Sequence, residues 1–187
     1  MIGVADLRGD GPLARSLPRG RFRVAEVWIV ALAAVHVLVA TAAAAEVLTL
    51  GPAWWWLAGA VVVALVGRCG VEHPRLSWPV PALLRVLEYG AILLLVGSSS
   101  WAYALAATVA FHHYDIVYRG RTRGDLPPRW LAVVTGGWEL RTALLVTGAA
   151  LGSPVTAAVI LTSVLAPILL VEAVAGWIAP TSVTEDR

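Results

Sequence analysis

The residues able to do chemistry in this chain are ionisable groups set in apolar surroundings. Arg85, Glu88 and Tyr89 open one apolar run, and His112, His113, Asp115, Tyr118 and Arg119 close another. Glu139 and Arg141 lie near the start of the next run, Glu172 near the end of the last, and Glu26 begins the first. Spacings of three and four residues place His112, Asp115 and Arg119 on one helical face, and Arg85, Glu88 and Tyr89 on another. Lipid cannot hydrogen-bond such faces, so they must turn inward. The expected result is a polar cavity suited to a phosphorylated head group. Arg85, Arg119 and Arg141 would grip phosphate as guanidinium forks. Asp115, Glu88 and Glu139 would hold Mg²⁺ or donate protons. His112 or His113 would serve as acid/base. Tyr89, Tyr118, Trp138 and Glu172 complete the expected substrate-binding set.

Blander readings stand beside each of these. Arg85–Glu88 and Asp115–Arg119 would also make intrahelical ion pairs whose long guanidines reach water. Against this stands the gathering of so many ionisable groups at one level, the usual mark of a functional site in spanning segments. His36 reads as a packing or hydrogen-bonding residue, and His73, before Pro74, as a loop residue. Adjacent histidines point about 100° apart on a helix, so His112–His113 is no zinc motif. Trp28, Trp54, Trp101, Trp130 and Trp177 fall at expected interfaces, where aromatic belts are normal. Trp138 and Trp78 would line a pocket for an isoprenoid or acyl chain, or steady a cation.

The elements that must position these groups are apolar helices. Hydrophobic residues make up 59% of the 187 residues and the mean hydropathy is +0.78, too apolar for an ordinary soluble domain. A secretory signal is not expected, since the first apolar run is long and no small-residue cleavage pattern is followed by a soluble domain. A spanning helix needs about 20 apolar residues, fewer if it is tilted or the bilayer adapts. Six runs qualify: Ala25–Leu50, Pro52–Gly67, Ala82–Ser98, Trp101–Tyr118, Trp130–Leu151 and Val155–Trp177. Gly136–Gly137 should bend or closely pack the fifth, and Pro167 should kink the sixth. Arg119 to Arg129 reads as a charged loop. The fold expected is an all-α polytopic membrane bundle over residues 25–178, with tails at 1–24 and 179–187. The sole cysteine, Cys69, excludes an intrachain disulfide.

All 14 basic residues are arginines. Apart from Arg85 and Arg141, they occupy the N-terminal segment, the Arg68–Arg75 turn, the Arg119–Arg129 loop and the C-terminus, and are missing from the Leu50–Trp54, Ser98–Trp101 and Gly152–Pro154 turns. This alternation puts both termini in the cytoplasm and the chain in the plasma (inner) membrane. The pI near 9.1 reflects that basic rim; no aromatic-basic module for nucleic acid is present.

Two blocks carry a resemblance. One is Glu72-His73-Pro74-Arg75-Leu76-Ser77-Trp78-Pro79-Val80-Pro81 with Leu84-Arg85 and Glu88-Tyr89. The other is Phe111-His112-His113-Tyr114-Asp115-Ile116-Val117-Tyr118-Arg119, followed by Pro127-Pro128-Arg129-Trp130 and Gly137-Trp138-Glu139-Leu140-Arg141. They resemble the actinobacterial DUF5941 membrane domain, as does the Glu172–Trp177 ending. Members of that family often look like the C-terminal part of larger proteins with nucleotidyltransferase-like and CDP-alcohol phosphotransferase-like neighbours. The resemblance therefore implies phospho-alcohol or phospholipid chemistry. This chain has no Asp-x-x-Asp-Gly-x-x-Ala-Arg pattern, so the transfer chemistry itself does not carry over.

The expectation is an integral-membrane enzyme acting on a lipid phosphate or isoprenoid diphosphate. Two alternatives accompany it: a terpene cyclase with aromatic walls around a carbocation, and a non-catalytic membrane partner of a phosphotransferase or prenyltransferase.

Overall fold

The computed structural model describes residues 8–45, 51–73, 75–124 and 126–179. The end of the first expected helix, 46–50, and most of both expected tails, 1–7 and 180–187, lie outside the described residues, as does Pro74. Among the described residues all regular structure is helical apart from an isolated bridge between Ala25 and Val71.

A short helix, α1 (Pro12–Ser16), precedes the first long one, α2 (Glu26–Ala44). Then follow α3 (Ala53–Gly67), α4 (Val80–Val96), α5 (Ser100–Thr122), α6 (Arg129–Val134), α7 (Gly137–Ala150) and α8 (Pro154–Ile178). Local chemistry sets several boundaries. Ser99 caps α5, its hydroxyl accepting from the Ala102 amide at 3.2 Å. Proline opens α1 and α8 and stands in the first turn of α4, where its missing N–H costs nothing. The start of α2 is held to the turn after α3 by backbone bonds, Glu26 to Val71 at 3.0 Å and Phe22 to Cys69 at 2.9 Å.

The expected helices all form, with two changes. The fifth is not continuous. Gly136 and Gly137 adopt φ of 75° and 62°, a left-handed backbone that breaks the run into α6 and α7. The expected charged loop at Arg119 is helical as far as Thr122, because α5 outlasts its apolar stretch. Pro167 is carried inside α8 without ending it.

Helix α4 is the centre of the packing, touching α2, α3, α5, α7 and α8. Small side chains such as Ala33, Ala40, Ala60, Ala64 and Ala91 are fully buried where α2, α3 and α4 meet, which lets the backbones approach closely. Large apolar side chains face outward: Leu38, Val62, Leu93, Leu144, Ile160 and Val171 are all exposed. Two helices, Glu26–Ala44 and Pro154–Ile178, are long and apolar enough to cross a membrane; Ala53–Gly67 is apolar but shorter.

Candidate functional site

The central position of α4 decides where its polar face goes. Glu88 is almost wholly buried, and its two oxygens are claimed by guanidiniums from different directions. Arg141 Nε of α7 donates to Oε1 at 2.6 Å, and Arg85 Nη1, one turn back on α4, donates to Oε2 at 3.1 Å. His113 Nε2 stands 3.6 Å from the same Oε2, and its Nδ1 is 3.0 Å from the Tyr89 hydroxyl. Arg85, Glu88, Tyr89, His113 and Arg141 are thus one network.

A second network joins α5 to the end of α8. Arg119 Nη1 donates to Glu172 Oε1 at 3.0 Å and to Asp115 Oδ2 at 3.4 Å. The Trp177 indole donates to Asp115 Oδ1 at 2.7 Å. Gly176 leaves the space that the Arg119 guanidinium fills; a Cβ there would run into it. Arg123 completes the seam, donating to the Gly176 carbonyl at 2.7 Å.

The third network was not foreseen. Arg8 to Ser16, expected to be part of a polar tail, packs into the polar end of the bundle as a strap. Asp10 is buried and accepts from the Trp138 indole at 3.1 Å and from Arg8 Nε at 3.0 Å, while Arg68 Nε lies 3.1 Å away. Arg8 also pairs with Glu26. Glu139 Oε2 accepts from the Gly11 amide and Oε1 from the Ala14 amide, each at 3.1 Å. Gly11 is the N-cap of α1 and Ala14 lies in its first turn, where amides have no intrahelical partner, so Glu139 caps that helix from across the fold. Arg85 Nη2 donates to the Arg8 carbonyl at 3.0 Å, tying the strap to the first network.

Strap and bundle together enclose a cavity of about 770 Å³. Arg15, Arg19, Arg68, Arg129, Arg141 and His112 line it, with Asp10 the one carboxylate among the lining residues. Leu17, Ile116, Leu126, Leu131 and Ala132 supply an apolar part of the wall. Asp10 is already matched by Arg8, Arg68 and Trp138, so the cavity carries an excess of positive charge. Arg15, Arg19 and Arg129 are exposed, and Arg15 Nη1 donates to the Arg129 carbonyl at 3.4 Å.

Of the residues expected at a site, His112 and Arg141 line this cavity. Arg85, Glu88, His113 and Tyr89 form the network behind it, and Arg119, Asp115 and Glu172 the seam to α8. Three expectations need correction. The metal set Asp115, Glu88 and Glu139 is not assembled. Each sits in a different network, with oxygens accepting from guanidinium, indole or backbone N–H. Among the described residues no group of three His, Cys, Asp or Glu side chains is placed to hold a metal ion. The residues do not fit Mg²⁺ in the expected role. Trp138 is no pocket wall; it is fully buried and anchors Asp10. Trp78 is exposed, and Tyr118 is a little under half exposed, stacked on Tyr114 at 5.7 Å between centroids. His36 hydrogen-bonds the Leu32 carbonyl at 2.8 Å, a local role.

Sequence reasoning missed Arg15, Arg19, Arg68 and Arg129 as cavity residues, and Arg8 and Asp10 as the strap's anchors. One signal was available for the strap. Asp10, two residues after Arg8 and followed by Gly11-Pro12, gives the composition of a capped turn rather than of a solvated tail.

A helical bundle whose polar end buries an arginine–carboxylate network beneath a basic cavity defines the class of this protein. A family model described as a family of unknown function (DUF5941) matches residues 2–186, and the chain belongs to that family. The match includes the strap. No curated protein and no solved structure matches the chain.

Proposed function

We propose that this is a multi-pass membrane protein that binds, and acts on, an amphiphile with a phosphate or diphosphate head group held in the basic cavity. The carrying observation is that cavity: five arginines and one already matched carboxylate line it at the polar end of a bundle otherwise clothed in apolar side chains. Guanidinium forks match phosphate oxygens, and the wall beside them is apolar. Arg15, Arg19 and Arg129 are the anchors of the head group, with Arg68 and Arg141 behind them.

His112 is the imidazole in the cavity wall and the acid/base of this reading. In hydrolysis, water adds to phosphorus as the bond to the chain oxygen breaks. His112 takes the proton from water and returns it to the leaving oxygen. His113, bound to Tyr89 and beside Glu88, is a positioning residue. The cyclase alternative loses support, because no Trp, Tyr or Phe is among the cavity's lining residues and its guanidiniums would repel a carbocation.

The test uses purified protein in zwitterionic nanodiscs with phosphatidic acid, a prenyl phosphate, a prenyl diphosphate and the matching uncharged lipids. At least one phosphorylated member should bind well above its uncharged counterpart and be consumed. Arg129→Gln should weaken that binding about tenfold, the worth of one charge-assisted hydrogen bond. His112→Asn should bind normally and stop turnover. Binding without consumption would leave the non-catalytic partner reading in place. Equal binding of phosphorylated and uncharged lipids removes the proposal altogether.

A further inference from the structure

Helix α6 has two faces with different surroundings. Leu131, Ala132 and Thr135 line the basic cavity. Trp130 and Val134, on the other side, line an apolar groove of about 610 Å³ shared with Pro167, Ile168 and Val171 of α8. Pro128, which starts α6, lines both. The ionisable residue among those lining the groove is Glu172, and its Oε1 already accepts from Arg119 at 3.0 Å. A polar space and an apolar space therefore meet around one end of a six-residue helix.

We infer that the groove between α6 and α8 holds the apolar chain of the amphiphile whose head group sits in the basic cavity, the chain passing over Pro128. The inference rests on the reading of the cavity as a phosphate site and adds where the rest of the molecule lies. Apolar walls alone do not select a chain inside a bilayer, because lipid tails are as apolar as the walls. Selection must come from the head, which fixes one end of the chain at Pro128. Occupancy of the groove is thus coupled to the arginines, and that coupling separates a bound substrate from surrounding lipid. A partner helix would show no such dependence.

The experiment labels the groove directly. Hexadecyl phosphate carrying a diazirine at the chain terminus is added to the full-length protein in phosphatidylcholine nanodiscs, irradiated, and the adducts are mapped by mass spectrometry. Hexadecanol with the same diazirine is the uncharged control, and binding of butyl phosphate reports the head site alone. Label from the phosphate should concentrate on Trp130, Val134, Ile168 and Val171. It should fall about tenfold in Arg129→Gln, matching the loss of one charge-assisted bond, whereas the hexadecanol pattern should not change. Val171→Trp, at a largely exposed position, should reduce the label and leave butyl phosphate binding intact. Label spread equally over the outer faces of α2 and α3 with butyl phosphate still bound would overturn the groove assignment alone. Failure of both phosphates to bind would overturn the head-group reading and the groove with it.

Discussion

Glu88 shows how a residue that looks catalytic can be structural. It stands on the central helix with both oxygens committed, to Arg141 at 2.6 Å and to Arg85 at 3.1 Å. This carboxylate balances one buried guanidinium, Arg141, and one partly buried one, Arg85. Glu88→Gln keeps the shape and removes the charge, leaving two cations facing each other. Breaking a buried pair from one side costs about 3–5 kcal/mol. Detergent-purified Glu88→Gln should therefore melt well below the parent, or fail to accumulate; an unchanged melting temperature would show that the network contributes little. The sequence placed this residue on the correct helix but near its start, whereas it stands at the midpoint of Val80–Val96. It did not reveal its partner, because Arg141 lies 53 residues away and pairing across helices has no local signature. The adjacent histidines make the same point. On a helix they face different ways, so one had to look away from the cavity, but only the packing of α5 against α4 decides that His113 meets Tyr89 while His112 lines the wall.

At the scale of elements, the strap and the break in the fifth helix are one device. Gly136 and Gly137 turn the chain so that the backbone of α7's first turn meets the backbone at Gly11, and a Cβ on Gly11 would collide with the Gly136 carbonyl. Glu139 then reaches the Gly11 and Ala14 amides. Gly11→Ala should lift the strap, at a cost of about 1–3 kcal/mol typical of overpacking. Glu139→Gln should loosen it by weakening the cap. Both should speed tryptic cleavage after Arg15 and Arg19, while Arg129→Gln, outside the strap's own contacts with Glu139, should not. Equal cleavage rates in all of them would mean that the strap is held by something else. The glycine pair was legible as a bend or close contact. The strap was not, because its burial relies on Asp10, Arg8 and backbone amides rather than on an apolar stripe, and a five-residue helix leaves no periodicity to read.

At the scale of the whole molecule, the proposed membrane topology follows from where charge and apolar surface lie. Helix α8, with 25 residues, is about 38 Å long, enough to cross a hydrocarbon core of about 30 Å. Helix α4, with 17 residues, is about 26 Å long and needs some thinning of the bilayer or reach from its flanks. If α6 and α7 count as one interrupted crossing, six crossings place Arg19 and Arg121 on the cytoplasmic side and the turns at Ser98 and Ser153 outside. The basic cavity then opens toward the leaflet that meets cytoplasmic phosphate chemistry. The chain offers a direct check, since Cys69 is its sole cysteine and is buried. In a Cys69→Ser background, single replacements Ser98→Cys, Ser153→Cys, Arg19→Cys and Arg121→Cys all fall at exposed positions. A membrane-impermeant maleimide added to intact cells should modify the first two and reach the last two only after permeabilisation. Modification of Arg19→Cys or Arg121→Cys in intact cells would invert the orientation. Failure of Ser98→Cys and Ser153→Cys to react in intact cells, with ready reaction once the cells are opened, would mean that α4–α5 and α7–α8 turn without emerging, leaving the two longest apolar helices to carry the membrane attachment.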